Sequence, residues 1–387
     1  MNIESLFKEV LTITLEPITP THVWGGRDAI VGIDALVHGN ELILIDMENT
    51  LKRVPENLLN KFSNSLKYAE PKKAIVSLLE ELNARGLIEG LRIPIKTRSR
   101  IELNTRIRVQ HENIIPGSEL KGYIRTGIIK GLLKKTPGDI AEILKRGINL
   151  EKEAKDVGIG VEAQLLRTPR LKKQGGFLDA LSALSVSDPL TYEHIEITLR
   201  ELRVIHIPSL DLVVPLLAVT FSGGKLKYRV AIHTFKRQIS SSELHKKAPI
   251  KDLEKIIERM NNVINVIGSK NWLLNTLREF GCDLINIELE KIRGITELGN
   301  YEKLLTDLKR NLCSRDTSCV PARIGFMTGH ESKTIIPEIK RYSPKTYEEI
   351  KARMQQELGR IWDASTLKLV EVNTDLVGIG WCRICLE

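Results

Sequence analysis

Residues 98–135 constrain the fold more than any other part of the chain. In RSRIELNTRIRV (98–109), Ile101, Leu103, Ile107 and Val109 fall on one parity, and Arg98, Arg100, Glu102, Arg106 and Arg108 on the other. Such alternation predicts a strand with one buried face and one arginine-rich face. A solvated strand face normally mixes Lys, Glu, Thr and Ser. Four arginines on one side point to an anion, because guanidinium presents a rigid donor fork to phosphate. Pro116-Gly117 then breaks the strand, Ser118 is placed to cap a helix, and the spacing predicts a helix over 118–135, stopped by Thr136-Pro137-Gly138. Leu120, Ile124, Ile128 and Leu132 form its apolar arc, and Lys121 and Arg125 fall inside that arc. At a helix start the unpaired amides and the dipole already favour an anion, and Gly117 and Gly122 leave room for another backbone. The structural alternative is that these cations snorkel beside a core helix.

The charge balance sharpens this reading. The 387 residues carry 58 Lys+Arg against 49 Asp+Glu, a net +9. Residues 92–135 hold eleven basic and three acidic side chains, +8, and residues 164–178 add Arg167, Arg170, Lys172 and Lys173 with no acid. The remainder is therefore slightly acidic, and the excess is concentrated rather than spread. With 42% hydrophobic residues the chain can bury a sizeable core. Its longest apolar run, 212–221, is about half the roughly 20 residues a bilayer requires, so no membrane span is expected. The opening MNIESLFKEV has acids where a secretory signal carries bases, which predicts a cytoplasmic protein. Five cysteines in this length do not predict a disulfide scaffold.

The spacing Gly117-Ser118-x-x-Lys121-Gly122-x-x-Arg125 resembles the signature of the RAMP superfamily, the RRM-like subunits of CRISPR effector complexes. Four further blocks occur in the order that family shows. ITPTHVWGG (18–26) is similar to its Thr-Pro-x-His-x-Gly-x-Gly turn after the first strand, and LILIDMENTLKRVPENLL (42–59) resembles the strand and helix that follow in the type III-A (Csm) end subunit. LSVSDPL (184–190) is similar to a Val-Ser-Asp element, and GFMTGHESKT (325–334) to a glycine-rich loop ending in Lys-Thr. The resemblance implies a subunit that caps the three-prime end of the crRNA, assists its maturation, and works beside target RNA and other RAMP and effector subunits.

On that reading the fold is α+β: an RRM/ferredoxin-like βαββαβ core over 1–235 with insertions at about 31–90 and 137–176. A helical lobe, the glycine-rich loop and the closing strands make up 236–387. Strand one is expected at 10–17, two strands near 195–204 and 210–220, four amphipathic helices between 251 and 361, and closing strands in LKLVEV and VGIGWCRICL around the Asn373-Thr374-Asp375 turn.

The expected RNA contacts are Gly117, Ser118, Lys121, Gly122 and Arg125 on the helix and Arg98, Arg100, Arg106 and Arg108 on the strand. His22, Gly25, Gly26 and Arg27 join them from the first turn, Lys172 and Lys173 from the second insertion, and Gly329, Lys333 and Thr334 from the glycine-rich loop. That last loop lacks GxxxxGK[ST], so amide and lysine grip on phosphates fits it better than a nucleotide P-loop. Two residues could carry chemistry. His22 could act in acid/base cleavage of precursor crRNA or target RNA, or only pack; Asp28 could contribute to cleavage, although Trp24 lengthens this loop relative to the family pattern. The preferred reading is a non-catalytic binding subunit. Cys382-x-x-Cys385 with Cys313 and Cys319 gives half a zinc spacing, but in a strand 382 and 385 point to opposite faces, so neither metal nor cofactor is expected. Aromatic residues are 5% of the chain, too few for serial base stacking, so recognition should be electrostatic and spacer-tolerant.

Overall fold

The computed structural model describes residues 7–68, 70–110, 114–135, 140–148, 159–167, 179–207, 209–233, 253–358 and 366–387. Strand β1 (Phe7–Pro17) is followed by β2 (Trp24–Ile30), β3 (Ala35–His38) and β4 (Glu41–Ile45). Helices α1 (Met47–Lys52), α2 (Glu56–Ser65) and α3 (Pro71–Ala84) precede β5 (Gly90–Pro94) and β6 (Arg106–Gln110). Then come α4 (Gly117–Lys135), α5 (Ile140–Gly147), α6 (Ile159–Leu166) and strands β7 (Leu184–Val186), β8 (Thr191–Glu193), β9 (Glu196–His206), β10 (Leu212–Ser222) and β11 (Lys225–His233). The last part holds α7 (Leu253–Ile267), α8 (Lys270–Ile292), α9 (Gly299–Leu312), β12 (Cys319–Arg323), α10 (Ile336–Tyr342), α11 (Pro344–Leu358), β13 (Thr366–Val372), β14 (Asp375–Gly378) and β15 (Trp381–Leu386).

The strands form three sheets. Sheet I runs β12-β15-β1-β11-β7, with β8 also on β11; sheet II runs β14-β13-β9-β10-β6-β2; a small third sheet is β3-β4-β5. The class is α+β, as expected, but the strands are distributed differently from the sequence reading. Strands β9 and β10 do not join β1, which pairs instead with β11 and β15. The burial pattern explains this. Along β10, Ala218, Val219, Thr220 and Phe221 are all buried, the mark of a strand covered on both faces. In β11, Leu226, Tyr228 and Val230 are each 0% exposed and alternate, matching Leu11, Ile13 and Leu15 of β1 across one buried face. The closing segment VGIGWCRICL is likewise not one strand. It leaves sheet II after β14 and enters sheet I as β15 between β12 and β1.

Helix α4 lies at the centre. Leu120, Ile124, Ile128 and Leu132 are buried as the spacing predicts, but Ile129, Leu133 and Tyr123 are buried too, because α8, itself packed on β12 of sheet I, lies against α4. Tyr123 stacks on Phe280 of α8 with ring centres 4.8 Å apart. The four expected lobe helices form as α7, α8, α9 and α11, and the same segment contributes β12 to sheet I.

The cysteine expectation is corrected. Cys282–Cys313 ties α8 to the end of α9, and Cys319–Cys385 links β12 to β15 across a register pair, leaving Cys382 free and buried. Antiparallel pairing brings Cys319 opposite Cys385, so what reads as half a zinc spacing is a cross-strand disulfide. No helix among the described residues is long and apolar enough to cross a membrane.

Candidate nucleic-acid interface

The start of α4 is built around a contact that the sequence does not advertise. The helix begins at Gly117, and its amide donates to Asp188 Oδ1 at 2.8 Å, so the Val-Ser-Asp aspartate caps the helix and Ser118 does not. A Cβ on Gly117 would stand 2.0 Å from the Ser187 carbonyl oxygen, which makes glycine obligatory there, whereas Gly122 faces open space. Lys121 Nζ donates to the Leu184 carbonyl at 2.6 Å. Arg125 pairs with Asp179 Oδ2 at 3.1 Å and with Glu162, and Arg167 reaches the same two carboxylates at 3.3 Å each. Two arginines thus balance two acids with side chains about a fifth to a quarter exposed. The Arg125 expectation is therefore revised: its fork is spent on protein carboxylates that join α4 to α6 and to the segment before β7.

The arginine-rich strand is shorter than its alternation suggests. Only Arg106–Gln110 is strand; Asn104 takes φ +69° in a turn closed by the Thr105 amide on the Glu102 carbonyl at 3.0 Å. Asparagine tolerates this backbone region, and the turn moves Arg98 and Arg100 onto a loop. Both are open to solvent, 78% and 87% exposed, with Arg98 3.8 Å from Glu371 and Arg100 2.9 Å from Glu102. Arg106 is exposed. Arg108 pairs with Asp28 at 2.9 Å and lies 4.3 Å over the Trp24 ring. On β2, Trp24, Gly25, Gly26 and Arg27 are all exposed, at a shift in the register between Trp24 and Asp28.

His22 lies beneath this rim. It is 0% exposed, with Nδ1 2.7 Å from the Val219 carbonyl, so Nδ1 carries the proton and Nε2 is left buried with no partner among the described residues. Burial lowers its pKa to about 4, helped by the Arg108 cation and opposed by the Val219 bond and Asp28. A neutral, sealed imidazole has no path to a phosphodiester, and Asp28 is engaged by Arg108.

The glycine-rich loop closes over the same place. The Phe326 amide donates to the His22 carbonyl at 2.6 Å, and the Phe326 ring meets His22 edge-on and Trp24 at 6.0 Å between centres. The Gly325 amide donates to Glu119 Oε1 at 3.2 Å, and Lys333 Nζ reaches that oxygen at the same distance. Gly329 has φ +86°, and Thr334 Oγ1 donates to the His330 carbonyl at 2.7 Å. From below, Lys130, 4% exposed, donates to the Glu331 carbonyl at 3.3 Å and pairs with Glu338. Lys291 pairs with Glu331. Burial raises the Glu331 carboxyl, but His330 and Lys291 bring it down to about 2.

The structure therefore gathers the 22–28 turn, the start of α4 and the 325–334 loop at one junction, with Arg106 on β6 beside β2 and Arg98 and Arg100 on the loop before β6, where Arg98 reaches across to Glu371 of β13. Lys172 and Lys173 lie outside the described residues. Sequence reasoning missed Glu119, Asp188 and Lys130. A lysine on the buried arc of α4 was the available signal for the last, and the Val-Ser-Asp element for the second. Tyr123 is buried at 4% and turned into the core.

No protein-family model matches the chain, and no curated protein matches it in sequence. Solved structures do resemble it. A chain of the cryo-EM structure of a Csm–crRNA–target RNA ternary complex in a type III-A CRISPR–Cas system matches with a TM-score of 0.64 and 19% identity, covering 97% of this chain and 100% of that one. The crystal structure of T. onnurineus Csm5 matches with a TM-score of 0.54 and 17% identity, over 95% and 99% of the two chains. The chain has the fold of these Csm subunits along nearly its whole length.

Proposed function

We propose that this chain is a crRNA-binding structural subunit of a type III CRISPR–Cas surveillance complex that caps the three-prime end of the crRNA and assists its maturation, with target RNA and neighbouring RAMP and effector subunits as partners. The observation that carries the reading is the junction: three loops set far apart in the chain meet beside exposed arginines, on the fold of a subunit solved within a crRNA complex. The donors there are backbone amides, lysine and arginine, which grip phosphates and ignore base identity. That suits a holder of variable guides. Chemistry is not part of the proposal, since His22 is sealed and Asp28 is salt-bridged. The reading is tested by co-purifying the full chain with its RNA and mapping which end resists exonuclease digestion. Protection of the three-prime end is the expected result; protection confined to the five-prime end, or no RNA, overturns it.

A further inference from the structure

One carboxylate at the junction sits where a ligand's oxygen belongs. Glu119 Oε1 accepts from the Gly325 amide and the Lys333 ammonium, both at 3.2 Å. A backbone amide and a lysine converging on a single anionic oxygen are the donor set a phosphate oxygen takes. The amide is aimed by a conformation open only to glycine: Gly325 has φ +110°, and a Cβ there would stand 2.5 Å from the His22 carbonyl oxygen. Beside the pair is a cavity of about 150 Å³ lined by Gly122, Tyr123, Thr126, Arg323 and Ser332. At ~30 Å³ per water it has room for a phosphate group.

We propose that the Gly325 amide and the Lys333 ammonium form a single-phosphate site, and that Glu119 fills it as an internal anion until a phosphodiester of bound RNA takes its place. The proposal rests on the RNA-binding reading above and concerns how that site is kept when empty of RNA. Three features favour exchange. Side-chain exposures of 28% for Glu119 and 48% for Lys333 give the carboxylate a way out and the phosphate a way in. An ion pair this exposed is held weakly, and one negative charge replaces another, so the swap costs little. The loop does not depend on Glu119 for its shape, because Lys130 and Lys291 hold residues 331 and 338 from the buried side. The displaced carboxylate stays in the first turn of α4, where the helix dipole favours it.

The test is equilibrium binding of the full chain to a labelled single-stranded RNA of mixed sequence over a series of salt concentrations. Glu119→Gln should tighten binding, by up to about fivefold. Lys333→Ala should weaken it and lower the salt slope by about 0.7. With Lys333 absent, Glu119→Gln should have a clearly smaller effect, because only the Gly325 amide is then left for the competitor to vacate. Weaker or unchanged binding by Glu119→Gln, alongside a clear loss in Lys333→Ala, overturns the exchange and leaves the RNA reading standing. Unchanged affinity and slope in Lys333→Ala remove RNA from this loop altogether. If Glu119→Gln fails to fold, Glu119→Asp, one methylene too short to reach both donors, should tighten binding in the same way, and its failure to do so counts against the exchange.

Discussion

Two basic regions of this chain end in opposite conditions. At α4, Lys121, Arg125 and Lys130 project from a helix buried on nearly every side, and each is met by a carbonyl or a carboxylate of the protein. Around sheet II, on the loop before β6, Arg98 and Arg100 have only loose, solvent-exposed pairs, and Arg27 of β2 and Arg106 of β6 are exposed. The cause is burial. A cation taken out of water needs a fixed partner, because an unpaired buried charge is far costlier than an exposed one. An exposed pair is worth at most about 1 kcal/mol and is given up readily to a phosphate. Charge density in a sequence is therefore not the same as charge on offer to a ligand: the α4 cations hold the protein together, and the rim cations are available.

The largest consequence falls on the buried side. His22 has a folded pKa of about 4 against 6.5 for the free side chain. The unfolded chain therefore binds more protons between these values, and stability, complete above pH 6.5, is lost as pH falls toward 4. Over that window His22 alone should remove about 3 kcal/mol. Denaturant unfolding of wild type and His22→Gln across pH 7 to 4 measures it as the difference in slope; the partly buried His330, also shifted down by burial, contributes in both proteins and cancels from the difference. Equal slopes in the two proteins would show that His22 is solvated. RNA products should be unchanged in His22→Gln, as befits a histidine with no access to substrate.

Next in size is Arg125→Ala. It leaves Asp179 and Glu162 with Arg167 alone in a setting about one-fifth exposed, and should cost about 1–3 kcal/mol, less than a fully buried pair because water screens part of the loss. RNA affinity per folded molecule and its salt slope should stay as in the wild type. A slope reduced by about 0.7 would instead make Arg125 a phosphate ligand.

How much of this was legible follows from which interactions are local. The period of 118–135 gives α4 almost to the residue, and alternation gives β6, because both patterns are written in neighbouring side chains. The turn at Asn104 is also local, yet the alternation runs straight through it, so Arg98 and Arg100 read as strand. Long-range pairing was not legible. Nothing near Gly117 says that Asp188 caps it, and nothing near Arg125 names Glu162 and Asp179. The Cys319–Cys385 bond depends on β12 joining a sheet from inside a helical lobe. The junction itself was half legible: its three loops were each singled out, but Glu119, which links two of them, looks in sequence like an ordinary first-turn acid.

The smallest effect on stability should be the largest on RNA. Replacing Arg98, Arg100 and Arg106 together by Ala removes three exposed side chains whose pairs contribute little, so unfolding free energy should move by no more than about 0.5 kcal/mol. If each guanidinium meets a phosphate, the slope of log affinity against log salt should fall by about 2 in all, near 0.7 per contact on single-stranded RNA. Affinity should then fall most at low salt and converge with the wild type as salt rises, and the loss should be the same for unrelated RNA sequences, since phosphate contacts carry no base information. Binding isotherms at four salt concentrations on two sequences check both points. A loss that depended on sequence but not on salt would mean these arginines read bases, and a loss in stability matching that of Arg125→Ala would mean the rim cations are bound into the protein as firmly as those of α4.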